Sequence, residues 1–297
     1  MSPLESLPEH PGCTQRIQLY IKRDDLVHPF IQGNKWRKLR PLLESVSSTE
    51  TPGLITFGGP FSNHLQAVAQ AGRLYGIKTV GILRGVSANL SNPTLSEASK
   101  AGMHLFPVPK IEYDAKMDSA IIRAIIAQYP GYRLLPEGGA TSVAVGSCAT
   151  ISHEVLHQLG PLSHQPLFIA VPAGSGTTAA GILQGLPSPH SVLVFPAARY
   201  GLSSASILAQ SGVKGASDRL HFFSDYTLGK FATPDPAILD LAHWFEQHYQ
   251  LRLDPIYTSR MMFGIFDLLQ KGFFPDESVI VAVHTGGLQG WRGFDLP

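Results

Sequence analysis

LFIAVPAGSGTTAAGILQG, residues 167–185, is the stretch of sequence that decides the fold. It opens with an apolar run at 167–174, which is typical of a buried β-strand. A glycine-rich loop follows, and the residues behind that loop have the pattern of a helix. A buried strand that leads through a loop into a helix is the repeating unit of α/β proteins.

The same alternation of strand and helix continues through the chain. Strand-like runs lie at 17–26, 53–57, 78–85, 103–108, 191–197 and 278–287, and helical patterns lie at 64–76 and 93–102. This order predicts an α/β fold with open, twisted, mostly parallel sheets flanked by helices. Parallel sheets bind ligands beyond the carboxyl ends of their strands. Glycine clusters fall at such ends, at 58–59, 174–176 and 286–287.

Composition excludes several classes of protein. The 297 residues are 44% hydrophobic and 15% charged with a formal net charge of +1, which is typical of a globular protein and disfavours a nucleic-acid partner. We expect no membrane span and no signal peptide, because the apolar runs are short. The two cysteines, Cys13 and Cys148, are far apart and favour a reducing, cytoplasmic setting. The twelve histidines show no metal-binding spacing, so we expect no metal.

The loop AGSGTTAAG, residues 173–181, has the chemistry of an anion site. Glycines let backbone amides approach a ligand, hydroxyls add donors, and a helix start carries positive partial charge. No lysine closes the loop and no G-x-G-x-x-G is present, so a single phosphate is the ligand that this loop favours. A tight turn between strand and helix would have the same residues.

Two further stretches leave alternatives open. In FGGPFSNHLQAVA, residues 57–69, Ser62 and Asn63 could cap a helix or bind a small anion such as a substrate carboxylate. In GNKWRKL, residues 33–39, Lys35 could form a Schiff base, since neighbouring cations and partial burial lower the pKa of such a lysine. A basic helical face fits that stretch equally well, and the nearby Asp24–Asp25 pair is expected in a solvated or salt-bridged turn.

Five motifs in order carry a family resemblance: YIKRDDL with GNKWRKL, GGPFSNHLQAVA, GSGTTAAG, LDPIYTSRMMFG and VHTGG. Together they resemble the 1-aminocyclopropane-1-carboxylate deaminases and D-cysteine desulfhydrases. That family uses pyridoxal 5′-phosphate (PLP) and has a two-domain, tryptophan-synthase-β-like fold. The resemblance implies a small domain at 53–150 and a large PLP-binding domain formed by 1–52 and 151–297.

The resemblance also implies a role for each motif residue. Lys35 is similar to the lysine that holds PLP as an internal aldimine, and catalytic roles are implied for Lys35, Ser62 and Tyr257. The phosphate would be bound by Lys38 and by the loop residues Gly174, Ser175, Gly176, Thr177 and Thr178. The ring would be contacted by Asn63, Thr258 and Thr285, and the substrate by Ser62, Asn63, His64, Tyr257 and Phe231.

Three positions bear on the substrate, a small amino acid. Thr258 and Thr285 stand where the family's deaminases have a glutamate and a leucine, and the desulfhydrase branch has hydroxyl residues. Phe231 stands where the family has a second active-site tyrosine. The resemblance thus implies a cytoplasmic, homodimeric enzyme that converts D-cysteine to pyruvate, sulfide and ammonia. The alternatives are an aminocyclopropane carboxylate deaminase, a racemase or eliminase for another amino acid, and a non-catalytic homologue that binds PLP or an amino acid.

Overall fold

The structure is a computed structural model that describes residues 1–8, 16–45, 52–85, 92–198, 201–227, 229–230 and 233–293. Phe231 and Cys13 lie outside the described residues. The chain divides into two compact units. The first unit comprises residues 1–37 and 142–291, and the second comprises residues 38–141 and 292–297.

Strands and helices alternate through both units. The strands are β1 Leu4–Ser6, β2 Gln18–Lys22, β3 Gly53–Gly58, β4 Lys78–Arg84, β5 Met103–Val108, β6 Arg133–Leu135, β7 Leu167–Ala173, β8 Ser191–Pro196, β9 Leu220–Phe222, β10 Gly229–Lys230, β11 Thr233–Pro234 and β12 Val279–Val283. The α-helices are α1 Gly33–Ser45, α2 Asn63–Tyr75, α3 Pro93–Lys100, α4 Lys110–Ala115, α5 Ala120–Ala127, α6 Ser142–Cys148, α7 Thr150–Leu159, α8 Thr177–Gly185, α9 Ser204–Ser211, α10 Pro236–Tyr249 and α11 Thr258–Gln270.

The first unit is built on a six-stranded sheet in the order β1-β2-β12-β7-β8-β9. Every neighbouring pair is parallel except β1 with β2. Strand β12 lies in the middle, with Val279 opposite Gln18 on one side and opposite Leu167 on the other. The carboxyl ends of β2, β12, β7 and β8 therefore point to one edge of the sheet.

Both faces of this sheet are buried, which explains why its strands are continuous apolar runs. Side chains alternate between the faces along a strand. In β12, Val281 packs into a core with helices α6 to α9, whereas Ile280 packs into a second core with α10 and α11. Strand β7 divides in the same way, with Ile169 in the first core and Ala170 in the second.

The second unit contains a four-stranded parallel sheet in the order β5-β4-β3-β6. Its core joins Phe57 and Ile82 of the sheet to Tyr113 of α4 and Ile122 of α5. Strands β3 and β6 lie side by side, so the loops after their carboxyl ends, 59–62 and 136–139, begin at the same edge.

The α/β architecture with mostly parallel sheets is confirmed. The runs predicted at 53–57, 103–108 and 191–197 are strands β3, β5 and β8, and the pattern at 64–76 is helix α2. The domain limits at 53–150 stay a prediction, beside compact units that change at residues 38 and 142. Within the part of the chain that the structure describes, no helix is long and apolar enough to cross a bilayer.

Candidate active site

The loop between β7 and α8 is an open helix start. Gly176 is the N-cap of α8 and has φ +78°, with no side-chain hydrogen bond to cap the helix. A Cβ atom on Gly176 would lie 2.8 Å from Cδ1 of Leu202 and 2.9 Å from Cγ1 of Ile207, so no larger residue fits without a shift. The first amides of a helix have no partner within the helix, and here they adjoin the hydroxyls of Ser175 and Thr177. This is the donor set that a phosphate requires.

Gln210 of α9 holds this loop through two hydrogen bonds. Its Nε2 donates to the carbonyl of Ser175 at 3.1 Å, and its Oε1 accepts from the Thr177 hydroxyl at 3.3 Å. The hydroxyls of Ser175 and Thr177 are themselves 3.1 Å apart. No motif in the sequence singles out Gln210, because it lies on a different helix and 33 or more residues downstream of the groups that it contacts.

Lys35 lies in the first turn of α1 and is linked to the glycine loop through its neighbour. Lys35 Nζ donates to Asn34 Oδ1 at 2.8 Å, and Asn34 Nδ2 donates to Thr178 Oγ1 at 2.9 Å. Asn34 and Thr178 are both buried, and Lys35 is half-buried. The structure therefore brings Lys35 together with one end of the loop predicted to bind phosphate.

The start of α1 also lies against the loop after β12. Gly33 has φ +59°, and a Cβ on it would be only 1.9 Å from the carbonyl oxygen of Thr285. The amide of Asn34 donates to that same oxygen at 3.4 Å. Gly286 has φ +77°, and its Cβ would be 2.8 Å from Cβ of Gln32. The two backbones touch, so Thr285 and Lys35 are fixed relative to one another.

Arg37, another cation of the GNKWRKL stretch, has structural partners. Arg37 binds both carboxylate oxygens of Asp24 at 2.7 Å and contacts Glu154 at 2.8 Å, and Lys22 also reaches Glu154 at 2.8 Å. Burial alone raises the pKa of Glu154, but the hydrogen bonds from Arg37 and Lys22 outweigh it and lower that pKa to about 2. Asp25 pairs with Arg23 at 2.8 Å. The acidic pair Asp24–Asp25 is salt-bridged, as expected, and anchors α1.

Tyr257 lies beside the glycine loop. Its Cε1 and Oη atoms are each 3.7 Å from the position that a Cβ on Gly174 would take. The glycine thus allows the phenol ring to approach the backbone of the loop. Tyr257 directly precedes helix α11, so the position of its ring depends on how that helix begins.

A buried carboxylate, Asp254, organises the start of α11. It accepts hydrogen bonds from the amides of Ile256 at 3.1 Å, Tyr257 at 2.8 Å and Thr258 at 2.7 Å. The Thr258 hydroxyl donates to it as well and accepts from the Asp254 amide at 2.8 Å. Burial raises the pKa of Asp254, and the donors from Thr258 and Tyr257 oppose that shift. The Thr258 hydroxyl is therefore engaged in holding Tyr257.

His284 is fully buried and supports the turn after β12. Its Nε2 lies 2.8 Å from the carbonyl of Arg252, and its Nδ1 accepts from the amide of Gly286 at 3.2 Å. A carbonyl can only accept and an amide can only donate, so these two contacts place the ring hydrogen on Nε2. Within the described residues, no group of three His, Cys, Asp or Glu side chains could hold a metal ion.

The second unit carries the remaining predicted residues at the edge where β3 and β6 end. Ser62 is the N-cap of α2 and accepts from the amide of Leu65 at 3.2 Å, and Asn63 is the first residue of that helix. His64 is buried, with its Cε1 2.9 Å from where a Cβ on Gly139 would lie.

Lys38 belongs to the same group. Its Nζ donates to the carbonyl of Gly138 at 2.9 Å, and its Cδ lies 3.6 Å from the Cβ position of Gly139. The structure thus gathers Ser62, Asn63, His64 and Lys38 at one edge of the second sheet. The roles implied for them and for the residues of the first unit stay predictions.

The residues of the first unit fit the cofactor that the resemblance implies. PLP needs a lysine for covalent attachment and hydrogen-bond donors for a phosphate. Lys35 supplies the amine, the start of α8 supplies amides and hydroxyls, and Asn34 connects the two. Gly176 keeps the loop clear of a side chain.

Comparisons with known proteins agree with this chemistry. D-cysteine desulfhydrases of Salmonella newport (strain SL254) and Salmonella paratyphi A are 27% and 26% identical to the chain, and each alignment covers 96% of this chain and 91% of the relative. A solved structure described as an ACC deaminase homologue is 25% identical with a TM-score of 0.81, covering 98% of this chain and 90% of that one.

A more distant structure shares the fold alone. It is the O-acetylserine-dependent cystathionine β-synthase of Helicobacter pylori, with a TM-score of 0.69 at 13% identity, and the match covers 98% of this chain and 94% of that one. The family model described as "Pyridoxal-phosphate dependent enzyme" matches residues 1–286. The chain therefore belongs to the family of pyridoxal-phosphate-dependent enzymes.

Proposed function

We propose that the protein is a D-cysteine desulfhydrase, which converts D-cysteine and water to pyruvate, sulfide and ammonia. The observation that carries the proposal is the placement of Lys35 beside Asn34 and Thr178, at the open start of α8. The likeness to two Salmonella D-cysteine desulfhydrases along 96% of the chain supports the choice of substrate.

Each residue has a defined task in this proposal. When bound, PLP supplies an electron sink for the bonds at the substrate α-carbon. Lys35 carries the cofactor and, once released, its amine removes the α-proton. The loop 174–178 binds the phosphate through its amides and hydroxyls, with Lys38 as a further partner. Tyr257 lies along this loop and contacts the substrate.

Ser62, Asn63 and His64 are proposed to bind the substrate, with Ser62 near its carboxylate. In the structure Ser62 already caps α2, so its oxygen accepts from Leu65, while its hydroxyl proton can still be donated to an anion. Asn63 follows it in the first turn of that helix, where a carboxylate gains from the helix dipole.

The choice of β-elimination rests on Thr258 and Thr285. A glutamate beside the cofactor nitrogen would keep that nitrogen protonated and would strengthen the electron sink, whereas a threonine hydroxyl does so poorly. In this chain the Thr258 hydroxyl is committed to Asp254. Elimination of a thiol with an available α-proton demands less from the cofactor than breaking a C–C bond of a cyclopropane ring.

Ring opening is the second candidate, because the solved ACC deaminase homologue has a TM-score of 0.81 to this chain. One panel separates the two candidates and the racemase or eliminase alternatives. D-cysteine, L-cysteine, serine, β-chloroalanine and aminocyclopropane carboxylate are supplied, and pyruvate, 2-oxobutanoate and the enantiomer of each chiral amino acid are measured. We expect pyruvate from D-cysteine. A greater kcat/KM for 2-oxobutanoate from aminocyclopropane carboxylate would contradict the proposal.

The cofactor lysine is tested separately. Borohydride reduction followed by peptide mapping should place the label on Lys35, and Lys35→Ala should abolish turnover. A label on Lys38 would overturn the assignment. A purified protein that stays colourless when PLP is added would favour a non-catalytic homologue.

We further propose that the enzyme is a homodimer in the cytoplasm, on the family resemblance. Light scattering of the purified protein and fractionation of cells measure the two properties directly. A monomeric mass would contradict the first, and recovery outside the cytoplasmic fraction would contradict the second.

A further inference from the structure

Asn34 lies between two groups that are proposed to bind neighbouring substituents of one cofactor molecule, its aldehyde and its phosphate. Its side chain contacts Lys35 Nζ at 2.8 Å and Thr178 Oγ1 at 2.9 Å. We propose that Asn34 is a positioning residue, which fixes the direction of the Lys35 amine and turns the Thr178 hydroxyl proton toward a bound phosphate. This inference rests on the proposed roles of Lys35 and Thr178 as cofactor ligands.

The structure gives the amide one orientation. Lys35 Nζ donates to Asn34 Oδ1, so the oxygen of the amide faces Lys35. The amide nitrogen, which can only donate, then faces Thr178, and the Thr178 oxygen accepts from it. The hydroxyl proton of Thr178 is consequently left for a different acceptor. A phosphate oxygen at the start of α8 is an acceptor of that kind.

The surroundings hold Asn34 in this place. It is 8% exposed, so water has little access to either hydrogen bond. Its amide donates to the carbonyl of Thr285 at 3.4 Å, and Gly33 before it packs directly on that carbonyl. With the backbone fixed on this side, the short side chain reaches both partners without freedom to choose others.

Substitutions at position 34 separate the two tasks. Asn34→Ala removes both contacts. Asn34→Asp keeps an acceptor for Lys35 but offers no donor to Thr178, so the Thr178 hydroxyl would turn its proton onto the new carboxylate and away from the phosphate. Thr178→Val removes the hydroxyl itself, and Thr178→Ser is the matched control that keeps it.

The experiment compares binding of PLP with binding of pyridoxal, which lacks the phosphate, by fluorescence titration without any amino-acid substrate. Asn34→Asp and Thr178→Val should each raise the Kd for PLP about tenfold or more, because each loses a hydrogen bond to a charged group. The Kd for pyridoxal should change little, and Thr178→Ser should resemble the wild type. The double variant Asn34→Ala/Thr178→Val should be no weaker than its worse single variant, because the two residues act as a unit.

Borohydride trapping tests the Lys35 side of the proposal. The rate at which pyridoxal attaches to Lys35 should fall in Asn34→Ala and not in Thr178→Val. Equal losses of PLP and pyridoxal binding in Asn34→Asp, additive effects in the double variant, or an unchanged trapping rate in Asn34→Ala would each overturn the proposal. If Asn34→Ala loses its fold by circular dichroism, the Asn34→Asp and Thr178 variants still decide the phosphate side.

The outcome is independent of the substrate. A protein that shows this pattern of binding but does not turn over D-cysteine would refute the proposed function and leave the role of Asn34 standing. A protein that turns over D-cysteine, but whose variants do not lose PLP binding more than pyridoxal binding, would refute the role of Asn34 and leave the proposed function standing.

Discussion

Two turns that contain glycine join a strand to a helix, one from β7 to α8 and one from β3 to α2. The two helices begin in different ways. At α8 the N-cap is Gly176, and no side chain of that residue occupies the first amides. At α2 the N-cap is Ser62, whose oxygen accepts from the amide of Leu65 at 3.2 Å. The first helix start is left open for a ligand, whereas the second is partly satisfied by the protein itself.

The comparison shows that the residue at the N-cap indicates whether a helix start is available to a ligand. A glycine N-cap is less stable than a capping side chain by only about a few tenths of a kcal/mol, and it leaves the first amides available to an anion. A start capped by serine is stable by itself, so any ligand that it binds adds to an element that is already formed. Helix α11 is a third case, in which the buried carboxylate of Asp254 holds the first turn.

The largest effect on PLP binding is expected from a side chain at position 176, the N-cap of α8. Gly176→Val forces a β-branched residue into φ +78° and against Leu202 and Ile207. We expect the Kd for PLP to rise about 100-fold or more, because the strain alone is worth about 1–3 kcal/mol and the amides of the loop must shift as well. Fluorescence titration measures this Kd.

Gly212→Val is the matched control for that prediction. Gly212 has φ +67°, but a Cβ on it would meet no atom of the described residues within 4 Å. It carries the same backbone strain without the clash, so its Kd for PLP should stay near that of the wild type. An equal loss in both variants would mean that general instability, and not the loop, explains the result.

A smaller effect is expected at the carboxylate-capped start. Asp254→Ala leaves the amides of Tyr257 and Thr258 buried without an acceptor, which should cost about 2–4 kcal/mol of the free energy of unfolding. It should also lower kcat, since Tyr257 is no longer held along the loop.

Asp254→Asn keeps one acceptor oxygen and is the conservative comparison for that variant. It should recover part of the stability and part of kcat. Urea unfolding and steady-state kinetics measure the two quantities, and an Asp254→Ala enzyme with a full kcat would show that the position of Tyr257 does not depend on this cap.

The serine-capped start should respond more modestly. Ser62→Ala should cost about 1 kcal/mol of stability, and the loss of a substrate contact should raise KM for D-cysteine about tenfold. Ser203→Ala, at the capped start of α9, serves as the control that changes a cap away from the residues proposed to bind substrate. Equal KM values in the two variants would leave Ser62 with the role of a cap only.

The smallest effect on PLP binding is expected at Gln210, which holds the loop before α8. Gln210→Leu removes both hydrogen bonds that brace Ser175 and Thr177 while nearly keeping the volume of the side chain. Each neutral hydrogen bond is worth about 1 kcal/mol, and because both act on the phosphate only through the shape of the loop, about half of their sum should be lost from binding, which raises the Kd for PLP roughly fivefold. A titration indistinguishable from the wild type would show that the loop holds its shape without the brace.

Much of the sheet architecture could be predicted from the sequence, because strands buried on both faces leave continuous apolar runs such as 167–173. The motif residues of the site could be found through the family resemblance. The partners that hold them could not. Asn34 and Gln210 act through contacts between segments that are far apart in sequence, and the contacts of Asp254 depend on the local turn of the backbone. The antiparallel edge strand β1 was also missed, because three residues carry too little periodicity to be recognised.

Thr258 illustrates the same limit. The sequence places it after the site tyrosine, and only the coordinates show that its hydroxyl is engaged by Asp254. Apolar runs in the sequence predict where strands lie. The hydrogen bond between the side chains of Asp254 and Thr258, four residues apart, depends instead on the local turn of the backbone.

The backbone contact between Gly33 and the Thr285 carbonyl has a practical consequence for redesign. A library that aims at a new substrate should leave Gly33 and Gly286 untouched, because any side chain there pushes apart the segment that carries Lys35 and the segment that carries Thr285. The contact is made by the Thr285 carbonyl and not by its side chain, so a change of that side chain leaves both glycines in place. Diversity placed at position 285, with both glycines kept, should yield a higher fraction of folded clones than diversity spread along the whole loop.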